Sequence, residues 1–137
     1  MNNRYLNILL VVGSLLITIS ACEFGAKEKH LGNNLYLSEY DCVDRRILHQ
    51  TRKQALSGVE IVSMTVSEID FNNNWIIVKT KDSKSSGLLY WIIKNSYDEK
   101  PTPEEIKENT YGPMNKVDFG EYVNSNGIQL RLKTIEC

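Results

Sequence analysis

Histidine is scarce in this chain: His30 and His49 are the only two in 137 residues. Neither lies beside Cys, Asp or a second His at zinc-ligand spacing, so no metal and no other cofactor is expected. A Ser-His-Asp set would have to be assembled around His49 without local support, and no G-x-S-x-G segment is present. The glycines number 8 and are dispersed; Gly120 and Gly127 stand alone, which excludes a phosphate-cradling loop. No sign of charge dominates, with 16 Lys and Arg against 17 Asp and Glu and a formal net charge of −1. A general nucleic-acid binder would carry a basic excess, so nucleic acid is not an expected partner. With 3 cysteines in all, a disulfide-dense scaffold and a C-x-x-C redox motif are both excluded. Repeats, low-complexity stretches and Pro/Ser-rich linkers are also missing. The apolar and charged fractions, 42% and 24%, are those of an ordinary globular protein.

One long apolar run is present, and it lies at the start. After a polar opening with Arg4, residues 6–19 are mostly apolar, and Ile19-Ser20-Ala21-Cys22 closes the run. A charged start, a short apolar stretch and small residues before a cut site describe a secretory signal over residues 1–21. The run is shorter than the roughly 20 apolar residues a membrane span requires. Its last four residues resemble the lipobox of bacterial lipoproteins: an aliphatic residue, two small residues, then Cys. The chemistry accounts for the pattern, because small side chains let the backbone lie in a peptidase cleft and the thiol takes a diacylglyceryl group. The resemblance implies lipidation of Cys22, cleavage before it, and a membrane contact made by acyl chains. Each buried methylene adds about 0.8 kcal/mol, so two or three chains anchor firmly where one does not. Residues 22–30, with EFGAKEKH after the cysteine, are charged and expected to form a flexible tether.

Setting Cys22 aside leaves Cys42 and Cys137. An exported protein occupies an oxidising compartment, where a bond between them would persist and close most of the domain into one loop. In the chain-entropy model such a bond contributes up to about 4–5 kcal/mol. Two separate thiols, one on a frayed terminus, are the alternative.

Residues 31–137 are expected to form a single α+β domain: an antiparallel β-meander, two short C-terminal helices, and a final strand returning to the sheet. Leu31–Glu39 and Arg45–Gln50 suggest two opening strands, with a polar loop over residues 51–58. Val59–Phe71 is rich in β-branched residues and changes apolar phase midway, which a bulge would explain. Asn72-Asn73-Asn74 marks a turn before a strand at Trp75–Lys81. Residues 82–87 (DSKSSG) mark the next turn, before Leu88–Ile93, a run apolar on both faces and so expected at the sheet centre. Thr102-Pro103-Glu104-Glu105 carries a cap, a first-turn proline and acidic side chains, and opens a short helix to about Asn109. There Glu104, Glu105 and Glu108 complement the helix dipole rather than form a catalytic pair. Asn115 caps a second helix through Ser125, with Phe119, Tyr122 and Val123 on one face; Asn126-Gly127 ends it. Ile128–Lys133 alternates as a strand with one buried face does.

Leu31-Gly32-Asn33-Asn34-Leu35-Tyr36-Leu37, Tyr90-Trp91-Ile92-Ile93 and Tyr111-Gly112-Pro113-Met114, in that order, resemble a family of uncharacterised small bacterial lipoproteins. That family has a G-N opening strand, a Y/F-W-I-I strand and a Y-G-P turn before a C-terminal helix. Its domain is one of unknown function, so the resemblance carries over no activity and no site residue.

The functional expectation is therefore a membrane-anchored protein of the bacterial cell envelope, with the outer membrane favoured over the inner. Its domain is expected to be non-enzymatic, binding an envelope protein or serving as an accessory subunit. The alternatives are an inhibitor or immunity-type protein, and a hydrolase acting on peptidoglycan or glycan. Trp75, Tyr90 and Trp91 are the candidate aromatic binding surface, although aromatics within apolar strand runs more often fill a core. A cleft joining His49 to a carboxylate and a Ser or Thr would favour the hydrolase; a flat exposed apolar patch would favour the binder.

Overall fold

A computed structural model describes residues 25–137, apart from positions 56 and 83. The signal segment and Cys22 lie outside the described residues. The architecture is predominantly β, with two antiparallel sheets and two short helices, which agrees with the α+β expectation at the coarse level. The first sheet has the order β1-β2-β3-β4, from β1 (Lys27–Gly32), β2 (Leu35–Tyr40), β3 (Asp44–His49) and β4 (Val59–Val62). The second has the order β8-β7-β6-β5-β9, from β5 (Thr65–Phe71), β6 (Trp75–Lys81), β7 (Leu88–Lys94), β8 (Thr110–Met114) and β9 (Lys133–Thr134). Helices α1 (Pro103–Glu108) and α2 (Lys116–Ser125) flank β8 in the chain. Among the described residues no helix is long and apolar enough to cross a membrane.

Turn chemistry sets the registers. Asn33 and Asn34 both adopt positive φ, +48° and +62°, and join β1 to β2 as a two-residue hairpin that asparagine tolerates better than most side chains. Between β5 and β6 the Asn72 carboxamide oxygen accepts from the backbone N–H groups of Asn74 and Trp75, at 2.8 and 2.9 Å. Between β6 and β7 an Asp82 carboxylate oxygen accepts from the Lys84 backbone N–H at 2.9 Å.

The two sheets face each other across one core. Leu35, Leu37 and Ile47 come from the first sheet; Val66, Ile76, Val78, Trp91 and Ile93 come from the second, and Ile106 of α1 closes the end. The far face of the second sheet is covered by α2 and the C-terminal segment: Phe119, Tyr122, Val123, Leu130 and Leu132 pack on Ile77, Ile92 and Ile128. This explains why Leu88–Ile93 is apolar on both faces, since Ile92 and Ile93 have different covers. Asn95, 4% exposed, ties the sheets together, its carboxamide donating to the carbonyls of Leu31 and Asn72, both at 2.8 Å. Asn33 donates in turn to the Asn95 carbonyl at 2.7 Å.

Four expectations are corrected. β1 begins at Lys27, so residues 27–30 belong to the sheet and not to a tether. Its side chains are mostly exposed, as on an edge strand, which gives it the composition of a linker. The run Val59–Phe71 is two strands in two sheets: the chain turns at Ser63-Met64, and the phase change marks that corner. A bulge does exist, but inside β5, between Val66 and Glu68. The Tyr111-Gly112-Pro113 segment is an edge strand, β8, rather than a turn. Finally, in the expected strand Ile128–Lys133 the alternating Ile128 is buried and Leu130 and Leu132 are half-buried, yet ladder pairing is confined to β9, at Lys133–Thr134. The Asp70 carboxylate holds this stretch in place of a ladder, accepting from the Arg131 backbone N–H at 3.1 Å and from Lys133 Nζ at 3.0 Å.

Candidate functional site

Strand β3 ends at His49, which pairs with Leu35 on one side and Val59 on the other. The chain then leaves the sheet through a polar loop, whose return at Gly58 brings it back over Gln50. Together with Pro103 at the start of α1, this loop borders an open cleft of about 450 Å³. Its lining includes His49, Gln50, Thr51, Arg52, Ser57 and Val59. Gly58 passes close to both: a Cβ on it would stand 3.3 Å from the Gln50 side-chain oxygen and 3.4 Å from the His49 carbonyl.

Two side chains of this cleft are buried with polar atoms left over. His49 is 8% exposed and Gln50 3%, and neither His49 Nε2 nor Gln50 Nε2 has a hydrogen-bond partner. Buried polar atoms are ordinarily paired, and each orphan costs about 1–3 kcal/mol. Burial is the main influence that lowers the His49 pKa below the usual imidazole value. A hydrogen bond to the Pro101 backbone opposes the shift, Lys100 adds to it, and Glu104 works against it. The shift favours the neutral imidazole over the imidazolium. Arg52 is the one charged residue in the lining, and no carboxylate lines the cleft among the described residues. Thr51 and Ser57 bring hydroxyls into the same space. The arrangement suits recognition of groups that accept hydrogen bonds: Gln50 offers an amide N–H, Arg52 a guanidinium, and the two hydroxyls can donate or accept.

The three candidate aromatics do not form one surface. Trp91 points into the core between the sheets, its indole N–H donating to the Thr80 hydroxyl at 3.0 Å. Tyr90 and Trp75 face the opposite way, beneath α2. Tyr90 stacks on Phe119 with ring centroids 4.9 Å apart, and Trp75 meets Tyr122 edge-on at 6.2 Å. Strand alternation separates them: consecutive residues of β7 point to opposite faces. A further aromatic lies at this margin. Tyr111 packs against Tyr122 at 4.9 Å, and burial, followed by the hydrogen bond to Tyr111, raises the Tyr122 phenol to about 12.

Cys42 and Cys137 are joined by a disulfide, their Cα atoms 5.4 Å apart, within the range such a bond spans. Beside it, Arg45 and Glu39 form a buried ion pair across β2 and β3, and an Arg45 guanidinium nitrogen donates to the Ile135 carbonyl at 3.4 Å. Glu39 lies close enough to both sulfurs to suggest a metal-ligand cluster, but its carboxylate is engaged by Arg45. His30 is exposed on β1 and tilts against Tyr36 at 4.9 Å, which leaves it outside the cleft.

Of these features, the sequence pointed to His49 only as an isolated histidine and gave no sign of Gln50. Both acquire meaning from burial, which depends on the 51–58 loop and on Pro103, more than fifty residues further along. Compared with known proteins, the chain matches no family model, no curated protein and no solved structure.

Proposed function

We propose that this is a lipid-anchored protein of the bacterial cell envelope, held at the membrane through Cys22, whose β domain binds an envelope partner non-enzymatically at the His49–Gln50 cleft. The lipobox-like Ile19-Ser20-Ala21-Cys22 supports the anchor. The observation that carries the binding site is the pair of buried, unpartnered nitrogens at His49 and Gln50, of which a partner's carbonyl or carboxylate oxygen would satisfy the Gln50 amide N–H and a hydroxyl, able to donate or accept, the imidazole nitrogen. A neutral imidazole beside Thr51 and Ser57 is also what the hydrolase alternative needs. The binder is favoured because no carboxylate lines the cleft among the described residues to orient that imidazole.

Two measurements test this. Mass spectrometry of the mature protein is expected to show a chain starting at an acylated Cys22; an unmodified cysteine or a cut elsewhere overturns the anchor. A photo-crosslinking residue at the exposed Ser57 is expected to yield a discrete adduct in intact envelopes, lost with Gln50→Leu and kept with Gln54→Leu. Release of soluble fragments from peptidoglycan by the purified protein, abolished by His49→Gln, would instead establish the hydrolase.

A further inference from the structure

The distance from Cys22 to the folded domain is short. β1 starts at Lys27 and the described chain at Gly25. Three residue steps separate Gly25 from Cys22, and three steps span at most about 11 Å. If Cys22 carries the lipid, the end of the domain that holds Gly25 stands at the bilayer surface. The registers say what else is at that end. Lys27 pairs with Glu39, and Tyr40 pairs with Asp44, so the β2–β3 turn, Asp41-Cys42-Val43, lies beside the start of the domain. A shallow cleft of about 320 Å³ joins Gly25, Ala26 and Lys27 to Glu39, Tyr40, Asp41 and Cys42.

This turn is unusually apolar for a loop tip. Val43 is 72% exposed and Tyr40 50%, in a hairpin with positive φ at Asp41 and Cys42, +51° and +57°. The disulfide to Cys137 fixes it to the C-terminal segment. Aliphatic side chains enter the acyl boundary, and tyrosine favours the headgroup level. The charges on the rim are of both signs, Lys27 and Asp41 in the cleft itself, while Asp44 is engaged by Arg46 at 3.0 Å. A headgroup carrying both an ammonium and a phosphate matches that pair better than a purely anionic one.

We infer that the Tyr40–Val43 turn is a membrane-docking surface, which seats the domain on a zwitterionic lipid headgroup layer with Val43 at the acyl boundary and Tyr40 among the headgroups. The inference rests on the lipidation of Cys22. It assigns the domain a fixed orientation, with the His49 end of β3 pointing away from the bilayer.

The test uses the mature acylated protein in nanodiscs of phosphatidylethanolamine and phosphatidylglycerol, with a paramagnetic gadolinium headgroup lipid. Relaxation enhancement at the backbone amides of Tyr40–Asp44 and Lys27 is expected to exceed that at Asn33, Asn74 and Val59 roughly tenfold or more, since β3 alone separates the two ends by about 17 Å. The double variant Tyr40→Ser, Val43→Asp, at two exposed positions, is expected to keep the amide spectrum of the core and lose most of that difference. Uniform enhancement, or enhancement greatest at the asparagine end, on a protein whose mass shows the acyl groups overturns the docking surface and leaves the anchor intact. A mass without acyl groups on Cys22 overturns both.

Discussion

At the scale of single residues, burial decides what each polar side chain can do. Asn95 and Gln50 are both almost wholly buried carboxamides, but Asn95 has its partners and Gln50 Nε2 has none. Asn95→Ala is expected to orphan the Leu31 and Asn72 carbonyls and cost about 1–3 kcal/mol, seen as a lower urea midpoint at an unchanged m-value. His49 gives a pH signature of definite sign. Its folded-state pKa lies below the ordinary value because burial disfavours the imidazolium, so the unfolded chain binds the proton more tightly. Stability is then fully present above the unfolded pKa of about 6.5, and it is lost as pH falls from there toward the folded value. Thermal melts between pH 7.5 and pH 5 should show this loss, and His49→Gln should flatten it. A slope that survives the substitution would assign the effect elsewhere. Asp70 titrates in a separate window: burial works to raise its pKa, but Lys133 and the Arg131 backbone N–H together hold it below the usual carboxylate value.

At the scale of elements, what was legible in the sequence was what local chemistry determines. α1 has the full capping box: the Glu105 backbone N–H donates to the Thr102 hydroxyl at 3.2 Å, and the Thr102 backbone N–H donates to the Glu105 carboxylate at 2.7 Å. Thr102→Ala is expected to cost about 1 kcal/mol; Thr102→Ser, which restores the oxygen, should recover most of it, and chemical denaturation measures both. α2 is likewise written in its cap, Asn115, whose carboxamide oxygen accepts from Val117 and Asp118. Elements that depend on distant partners were not legible. Nothing local distinguishes a bulged strand from a strand that changes sheets at Ser63-Met64. Gly112-Pro113 has the composition of a turn, and only pairing with β7 makes it β8. Lys27–His30 has linker composition, and only β2 makes it a strand. The alternation of Ile128, Leu130 and Leu132 correctly signals a buried face, but the cover is α2 and the second sheet rather than a ladder. The cleft follows the same rule, since its walls come from β3, the following loop and Pro103.

At the scale of the whole molecule, the disulfide unites what the sheets leave separate. The first sheet contributes Cys42 in its β2–β3 turn, and the chain's last residue contributes Cys137, 95 positions later. Between them lie the corner into the second sheet, all of that sheet and both helices. Beyond β9 the tail is otherwise held by few contacts: the Ile135 backbone N–H reaches the Ser67 carbonyl at 3.5 Å, and the Ile135 carbonyl accepts from Arg45 at 3.4 Å. A loop this long loses much conformational freedom when unfolded and still bonded, so the bond contributes up to about 4–5 kcal/mol in the chain-entropy model. Reduction is therefore expected to lower Tm by about 5–15 °C, measured by calorimetry with and without reductant. Cys137→Ser should reproduce the drop and abolish any further effect of reductant, which separates the bond from reductant acting elsewhere. Because the constraint acts on the unfolded chain, the reduced protein should keep its sheets, with amide shifts confined to the Tyr40–Asp44 turn and the residues after Thr134. A reduced protein with unchanged Tm would mean that the unfolded chain already holds these two ends together, and the bond would then serve to position the turn rather than to stabilise the fold.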